Sequence, residues 1–193
     1  ARAVIQHLQM AGHQAYLVGG CVRDMLREVV PHDWDIATSA WPDEVVGLFN
    51  KTIPTGIEHG TVTVVVQNGP EHDHYEVTTF RSEGKYTDGR RPDSVVFELS
   101  LEADLARRDF TINAMAYDPT TDELVDPFGG QTDLACGRIR CVGDANQRFA
   151  EDGLRCLRAV RFAVRFGFAM DPQTYRAIHA NLATFKNVAM ERV

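Results

Sequence analysis

The sequence predicts an α+β domain followed by an all-helical segment, divided near residue 143. Three observations predict it. Residues 61–67 and 75–80 are strand-sized runs rich in Val and Thr, set among stretches with helical spacing. From Ala145 onward only helical periodicity is visible. At 193 residues the chain is long enough for one substantial domain and the start of another.

Taken in order, residues 4–10 have helical spacing and stop at Gly12, a natural C-terminal cap. Residues 15–18 read as a short buried strand broken by Gly19-Gly20, and 22–29 return to helical spacing. Residues 34–37 read as a second strand, and 42–49 as a helix with Pro42 at its start. The runs 61–67 and 75–80 form an antiparallel pair across a polar turn containing Gly69-Pro70. SEGKYTDGRRPD, residues 82–93, is a polar loop. Residues 95–97 and 114–117 are further strands around a helical piece at 101–105, and 139–142 closes the sheet region. One helix is expected from Ala145 to Phe166. A second follows Asp171-Pro172 to about Phe185, and a third begins near Val188. The expected division is therefore 1–143 and 144–193, the latter truncated.

Composition excludes several classes. With 44% apolar residues and mixed charge, the chain is neither disordered nor fibrous, and no apolar run approaches bilayer-spanning length. The N-terminal residues lack a signal-peptide core, so a cytoplasmic protein without membrane association is expected. Cys21, Cys136, Cys141 and Cys156 form no C-x-x-C pair and read as reduced thiols. His72 and His74 flank Asp73 in what reads as a solvated loop before a strand rather than a metal site. The net charge of −7 gives no general attraction to nucleic acid. The cations are clustered, however, at Arg81/Lys85/Arg90/Arg91, Arg107/Arg108 and Arg155/Arg158/Arg161/Arg165. Clustering suits a charged cleft: either the bound substrate is small, or another region grips the nucleic acid.

The sharpest chemical feature is Asp33-Trp34-Asp35, preceded by Gly19-Gly20-Cys21-Val22-Arg23-Asp24. On a strand, residues two apart face the same way, so Asp33 and Asp35 can present two carboxylates together. Such a pair needs a counter-charge, and paired Mg²⁺ ions supply one in phosphoryl transfer. Alone, D-x-D fits a solvated surface pair better; the upstream Gly-Gly turn and Arg-bearing helix make a triphosphate cradle with it. Glu76 in HYEVTTFR, on a strand expected to pair beside Asp33 and Asp35, is the candidate third carboxylate, its alternative being an exposed strand residue.

GGCVRD together with DWDIATSA resembles the signature of the class II tRNA nucleotidyltransferases and bacterial poly(A) polymerases, within the polymerase-β-like nucleotidyltransferase superfamily. RRDFTINAMA (107–116), DPFGGQTDL (126–134) and EDGLRCLRAVRFA (151–163) resemble that family's later motifs in order, and Glu191-Arg192 resembles the start of its last. The resemblance implies a head domain with a mixed β-sheet carrying metal-binding Asp33 and Asp35, followed by a helical neck that recognises the nucleotide. It implies that the body and tail domains, which grip tRNA, are absent here.

The resemblance also assigns roles. Asp33, Asp35 and Glu76 are catalytic, with Asp33 and Asp35 holding two Mg²⁺ ions. Gly19, Gly20 and Arg23 bind the triphosphate. Arg108, Asp109 and Asn113 surround ribose and triphosphate, and Arg158 contacts phosphate. Asp152 and Arg155 read the base. A carboxylate accepts from an amino group and a guanidinium donates to ring acceptors, which admits C and A while rejecting U and G. On the expected continuous helix, Glu151, Arg155, Arg158 and Arg165 share one face. Leu154, Leu157, Val160 and Val164 form the apolar stripe beside it.

The implied reaction is transfer of CMP and/or AMP from CTP and ATP to the 3′ end of tRNA, releasing pyrophosphate. TGIEHGT (55–61) resembles the tRNA-directed enzymes rather than the poly(A) polymerases, and the loop 82–93 resembles that of CCA-adding or A-adding members rather than CC-adding ones. The alternatives are a poly(A) polymerase of the same family and a non-catalytic nucleotide- or RNA-binding module.

Overall fold

The computed structural model describes residues 1–83, 95–97 and 100–182. The expected loop therefore lies almost wholly outside the described residues, as do the helix near Val188 and the Glu191-Arg192 motif. The chain forms two compact units. The first comprises Ala1–Ser82, Val96–Leu105 and Met115–Val125; the second, within the described residues, comprises Glu83, Val95, Ala106–Ala114 and 126–182.

The first unit contains α1 (Arg2–Met10), β1 (Ala15–Val18), α2 (Gly20–Leu26), β2 (Asp35–Thr38), α3 (Pro42–Leu48), β3 (Thr52–Gly56), β4 (Thr61–Asn68) and β5 (Glu71–Thr79). The short strands β6 (Arg81–Glu83) and β7 (Val95–Phe97) come next, then α4 (Leu101–Ala106), β8 (Ala116–Asp118) and β9 (Glu123–Val125). Seven strands form one mixed sheet in the order β3-β4-β5-β2-β1-β8-β9. Its pairs are antiparallel except β2 with β5. That parallel pair requires a crossover, and α3 with the β3–β4 hairpin supplies it.

Alternation fixes which face is covered. On β5, Tyr75, Val77 and Thr79 are buried while His74 and Glu76 are exposed. Val62 and Val64 of β4 are fully buried, as are Ile5 and Leu8 of α1, and Val45 of α3 is nearly so. Burying each such side chain contributes roughly 1.5–3 kcal/mol. The face left open carries His74 and Glu76. β3 was not expected because Pro54 and Gly56 demote it as a strand; it lies at the sheet edge, where proline is tolerated.

The second unit contains α5 (Gly130–Ala135), β10 (Arg138–Ile139), α6 (Ala145–Glu151), α7 (Leu154–Phe166), β11 (Ala169–Met170) and α8 (Pro172–Ala180). Three expectations are corrected here. Ile139 does not close the main sheet, because β10 pairs in parallel with β11. The helix from Ala145 to Phe166 is broken at Asp152-Gly153, where the Asp152 carboxylate accepts the Leu154 N–H at 2.9 Å and starts a new helix. The buried face of α7 is Arg155, Cys156, Ala159 and Phe162, whereas Val160 and Val164 are 47% and 79% exposed. This face lies roughly 165° round the helix from the expected stripe, nearly opposite it. Phe162 sets it by standing edge-on against fully buried Phe110, with centroids 5.8 Å apart.

Candidate active site

The first unit gathers three carboxylates at one cavity. β2 begins at Asp35, one residue later than expected, so Asp33 lies in the bend before the strand rather than on it. In the parallel β2–β5 ladder Asp35 stands opposite Glu76. Glu76 is in turn opposite Thr63 on β4, and Thr63 opposite Ile53 on β3. Residues opposite one another share a face, so this row crosses four strands on the open side of the sheet. A cavity of about 440 Å³ lies over it, bounded by Asp33, Asp35 and Glu76 and walled by Trp34, Ile53, Thr55, Thr63 and His74.

An all-oxygen set of carboxylates suits a hard divalent cation such as Mg²⁺. Among the described residues no group of three or more His, Cys, Asp or Glu side chains is already assembled to hold a metal. The fit therefore rests on donor chemistry and on the shared cavity. His72, Asp73 and His74 belong to β5, not to a loop as expected. Asp73 accepts from Asn68 Nδ2 at 3.0 Å and Tyr75 OH at 3.3 Å, while His74 faces the cavity.

The GGCVRD segment is built around backbone freedom and buried polar contacts. Gly19 has φ 75° and ψ −131°, a conformation open to glycine, and its N–H reaches Met115 O at 3.4 Å. A Cβ on Gly20 would stand 3.5 Å from Arg23 Nη2. Arg23 is 6% exposed and donates to both Asp24 carboxylate oxygens, at 2.9 and 2.8 Å. The Cys21 thiol donates to Val18 O at 3.1 Å and Asp35 O at 3.7 Å, tying α2 to the first residue of β2. Burial pushes this thiol's pKa up.

The second unit carries the other predicted residues. Asp109 is buried; its Oδ1 accepts from Phe110 N at 2.8 Å and Asn113 Nδ2 at 3.2 Å. Its Oδ2 accepts from Arg158 Nε at 2.7 Å and lies 2.6 Å from Nη2. Arg158 also lies over the Phe162 ring, 5.3 Å from its centroid. Asn113 is buried and Arg108 half-buried. Arg155, 7% exposed, donates to Glu151 at 2.6 Å and to the carbonyls of Arg148 and Arg107 at 3.3 Å each. Asp152 is held by its cap to Leu154 N. Gly19, Gly20, Arg23, Asp33, Asp35 and Glu76 thus belong to the first unit, and Arg108, Asp109, Asn113, Asp152, Arg155 and Arg158 to the second.

Sequence reasoning missed the scaffold beneath these residues. Asp133, 1% exposed, accepts from Thr111 Oγ1 at 2.6 Å and Arg140 Nε at 2.7 Å. The 107–113 segment is thereby pinned, with help from Thr111 N to Arg140 O and Val142 N to Asp109 O. Asp126 accepts from Gly130 N at 2.7 Å and Gln131 N at 2.9 Å, starting α5. Thr55, Thr63 and His74 were missed as well; their signal, alternation facing the same way as Glu76, needs the strand register to be seen. Among the described residues no helix is long and apolar enough to cross a membrane.

Comparison with known proteins agrees with this architecture. Residues 15–140 match the poly A polymerase head domain. The whole chain is 51% identical to the CCA-adding enzyme of Leuconostoc citreum and 52% to that of Geobacillus sp. strain WCH70, spanning 47% and 46% of their lengths. It therefore spans about half the length of the curated relatives it matches. The structure of the Bacillus stearothermophilus CCA-adding enzyme in complex with CTP superposes with a TM-score of 0.88 at 47% identity, covering 98% of this chain and 45% of that one. The Thermotoga maritima CCA-adding enzyme complexed with tRNA gives 0.76 at 28% identity, covering 97% of this chain and 43% of that one. With its polymerase-β-like mixed sheet and a match across more than half its length, the chain belongs to the poly A polymerase head domain family.

Proposed function

We propose that this chain is the nucleotide-transferring part of an enzyme that adds CMP and/or AMP to the 3′ end of tRNA, in the CCA-adding or A-adding manner. The observation that carries the proposal is the register of Asp35 with Glu76, with Asp33 lining the same cavity. The CCA-adding enzymes matched along the whole chain support it. Enzymes of this family use divalent metals. Two Mg²⁺ ions held by Asp33 and Asp35, with Glu76 as the third carboxylate, would compensate triphosphate charge and favour the ionised 3′-hydroxyl.

The chain's own residues supply position. Gly19 and Gly20 allow close backbone approach by the triphosphate, with Arg23 beneath them. Arg108, Asp109 and Asn113 serve the ribose and triphosphate, and Arg158 serves phosphate while fixing Asp109. Asp152 accepts the amino group of C or A and Arg155 donates to the ring. The cap on Asp152 and the bonds from Arg155 to Glu151 and to the carbonyls of Arg148 and Arg107 support this reading, since each side chain is oriented before any base arrives. The working division is residues 1–143 for transfer and 144–193 for base recognition. A tRNA substrate, gripped mainly by segments outside this chain, would place the work in the cytoplasm.

A poly(A) polymerase is the second reading, favoured by the name of the matched head domain. Product length separates the two. With tRNA lacking its 3′ CCA and a mixture of four nucleotides, addition should stop within three nucleotides and use only C and A. A long A tail would make the second reading correct. No incorporation or pyrophosphate release would point to a binding module.

A further inference from the structure

We infer that Arg148 is a positioning residue for base selection, holding Arg155 through Glu151 and the Arg107 carbonyl in the orientation that reads the base. This rests on the reading of Asp152 and Arg155 given above. Three observations carry it.

The first is the helix break. α6 ends at Glu151 and α7 begins at Leu154, so helical periodicity does not set where Arg155 stands relative to α6. Arg148 spans the break instead. Its backbone carbonyl accepts from Asp152 N at 3.4 Å and from Arg155 Nη1 at 3.3 Å. Both members of the base-reading pair are thus tied to one residue of α6.

The second is a set of shared acceptors. Arg148 Nη2 lies 3.1 Å from Glu151 Oε1, while Arg155 Nη1 donates to Oε2 at 2.6 Å. The Arg107 carbonyl accepts from Arg148 Nη1 at 3.4 Å and from Arg155 Nη2 at 3.3 Å. The two guanidiniums therefore share one carboxylate and one carbonyl. Arginine tends to grip a carboxylate with two prongs. Arg148 engages Oε1; Gln147 Nε2 reaches the same oxygen at 3.2 Å but is neutral and exposed. Without Arg148, Oε1 would draw in Arg155 donors that the base requires.

The third is an orphaned donor. Arg148 Nε is buried and has no hydrogen-bond partner among the described residues. A buried unpaired donor weakens a fold, so stability alone does not account for an arginine here. Its planar fork does, because it meets Glu151 and the Arg107 carbonyl together. A lysine could pair with Glu151 but lacks that fork.

Nuclear magnetic resonance tests the positioning without nucleotide or turnover. The Arg155 guanidinium of the parent should show resolved Nη–H resonances from hindered rotation, assigned by their loss in Arg155→Lys. In Arg148→Lys they should merge as rotation becomes fast; Arg148→Gln serves if the lysine variant does not fold. Resolved signals in the variant, or merged signals in the parent, would overturn the inference. Transfer kinetics gives the second arm. Arg148→Lys should raise KM for CTP about tenfold and lower the preference for CTP over UTP about tenfold, with little change in Tm. In an Arg155→Ala background the same substitution should change that preference by less than about twofold, because Arg148 acts through Arg155. Additive losses would contradict it and leave Arg148 as general support. A parent with no preference for CTP over UTP would instead count against the proposed function, leaving the resonances to judge Arg148.

Discussion

Arg158 clasps Asp109 across 49 residues of sequence, both Nε and Nη2 meeting one carboxylate oxygen at 2.7 and 2.6 Å. The contact fixes α7 to the segment that resembles the family's ribose-binding motif. It also gives Arg158 a structural task besides the phosphate contact implied by resemblance.

Arg158→Ala should therefore lower stability even without substrate. Asp109 is 8% exposed and would lose its main counter-charge, but half of the Arg158 side chain is in solvent. The loss should be roughly 1–2 kcal/mol, below the 3–5 kcal/mol of a fully buried pair. Urea unfolding measures it, and an unchanged midpoint would show that the pair is not held in solution.

Gly60→Ala should disturb one aromatic contact. Gly60 has φ 80°, and an added Cβ would stand 2.8 Å from Phe97 Cε1. Phe97 in turn packs edge-on against Trp41, with centroids 5.3 Å apart. Backbone strain and displacement together should cost about 1–3 kcal/mol. Near-ultraviolet circular dichroism should lose intensity as Trp41 loses its partner; a spectrum and Tm like the parent's would count against this packing.

Asp152→Ala should do two separable things. Loss of the cap to Leu154 should cost about 1 kcal/mol, and discrimination against UTP and GTP should relax. Asp152→Asn should recover stability to within about 0.5 kcal/mol but leave discrimination impaired, because the carboxylate charge is gone. Competition assays with the four nucleotides check the second effect, and full selectivity in both variants would remove Asp152 from base recognition.

Alkaline pH should weaken the second unit. Burial pushes the Cys141 thiol up to about 12 and the Cys156 thiol up to about 11 from 9.0. Below pH 9 both are protonated whether the chain is folded or unfolded, and their contribution is fully present. Above pH 9 the unfolded chain releases these protons first, so stability falls until about pH 12. The denaturation midpoint should drop between pH 8 and 10.5, less steeply in Cys141→Ala. Identical slopes in parent and variant would mean that Cys141 does not titrate in this way.

Much of the architecture was legible because its signals are local. Val/Thr runs marked β4 and β5, Gly19-Gly20 marked the end of β1, and D-x-D marked the strand that carries Asp35. What was hidden depends on distant partners. The strand of Glu76 lies beside that of Asp35 as expected, but that the two residues stand opposite one another is a fact of parallel register, which spacing does not encode. The stripe on α7 was misplaced because Leu154, Leu157, Val160 and Val164 look like a core-facing set until Phe110 selects Phe162 and its neighbours. The break at Asp152-Gly153 was readable as a cap followed by glycine, but strong periodicity on both sides masked it. Asp133 gave no signal, since a buried carboxylate is recognisable only through Thr111 and Arg140.

The central claim is that Asp35 and Glu76, beside Asp33, form the centre of nucleotide transfer. Single-turnover transfer of labelled CMP to tRNA lacking CCA, with Mg²⁺, tests it most directly when parent and Asp35→Ala are compared at equal folded concentration. The account predicts that Asp35→Ala loses transfer by at least about a thousandfold while its Tm stays within a few degrees of the parent's. Transfer by Asp35→Ala at the parental rate would contradict it.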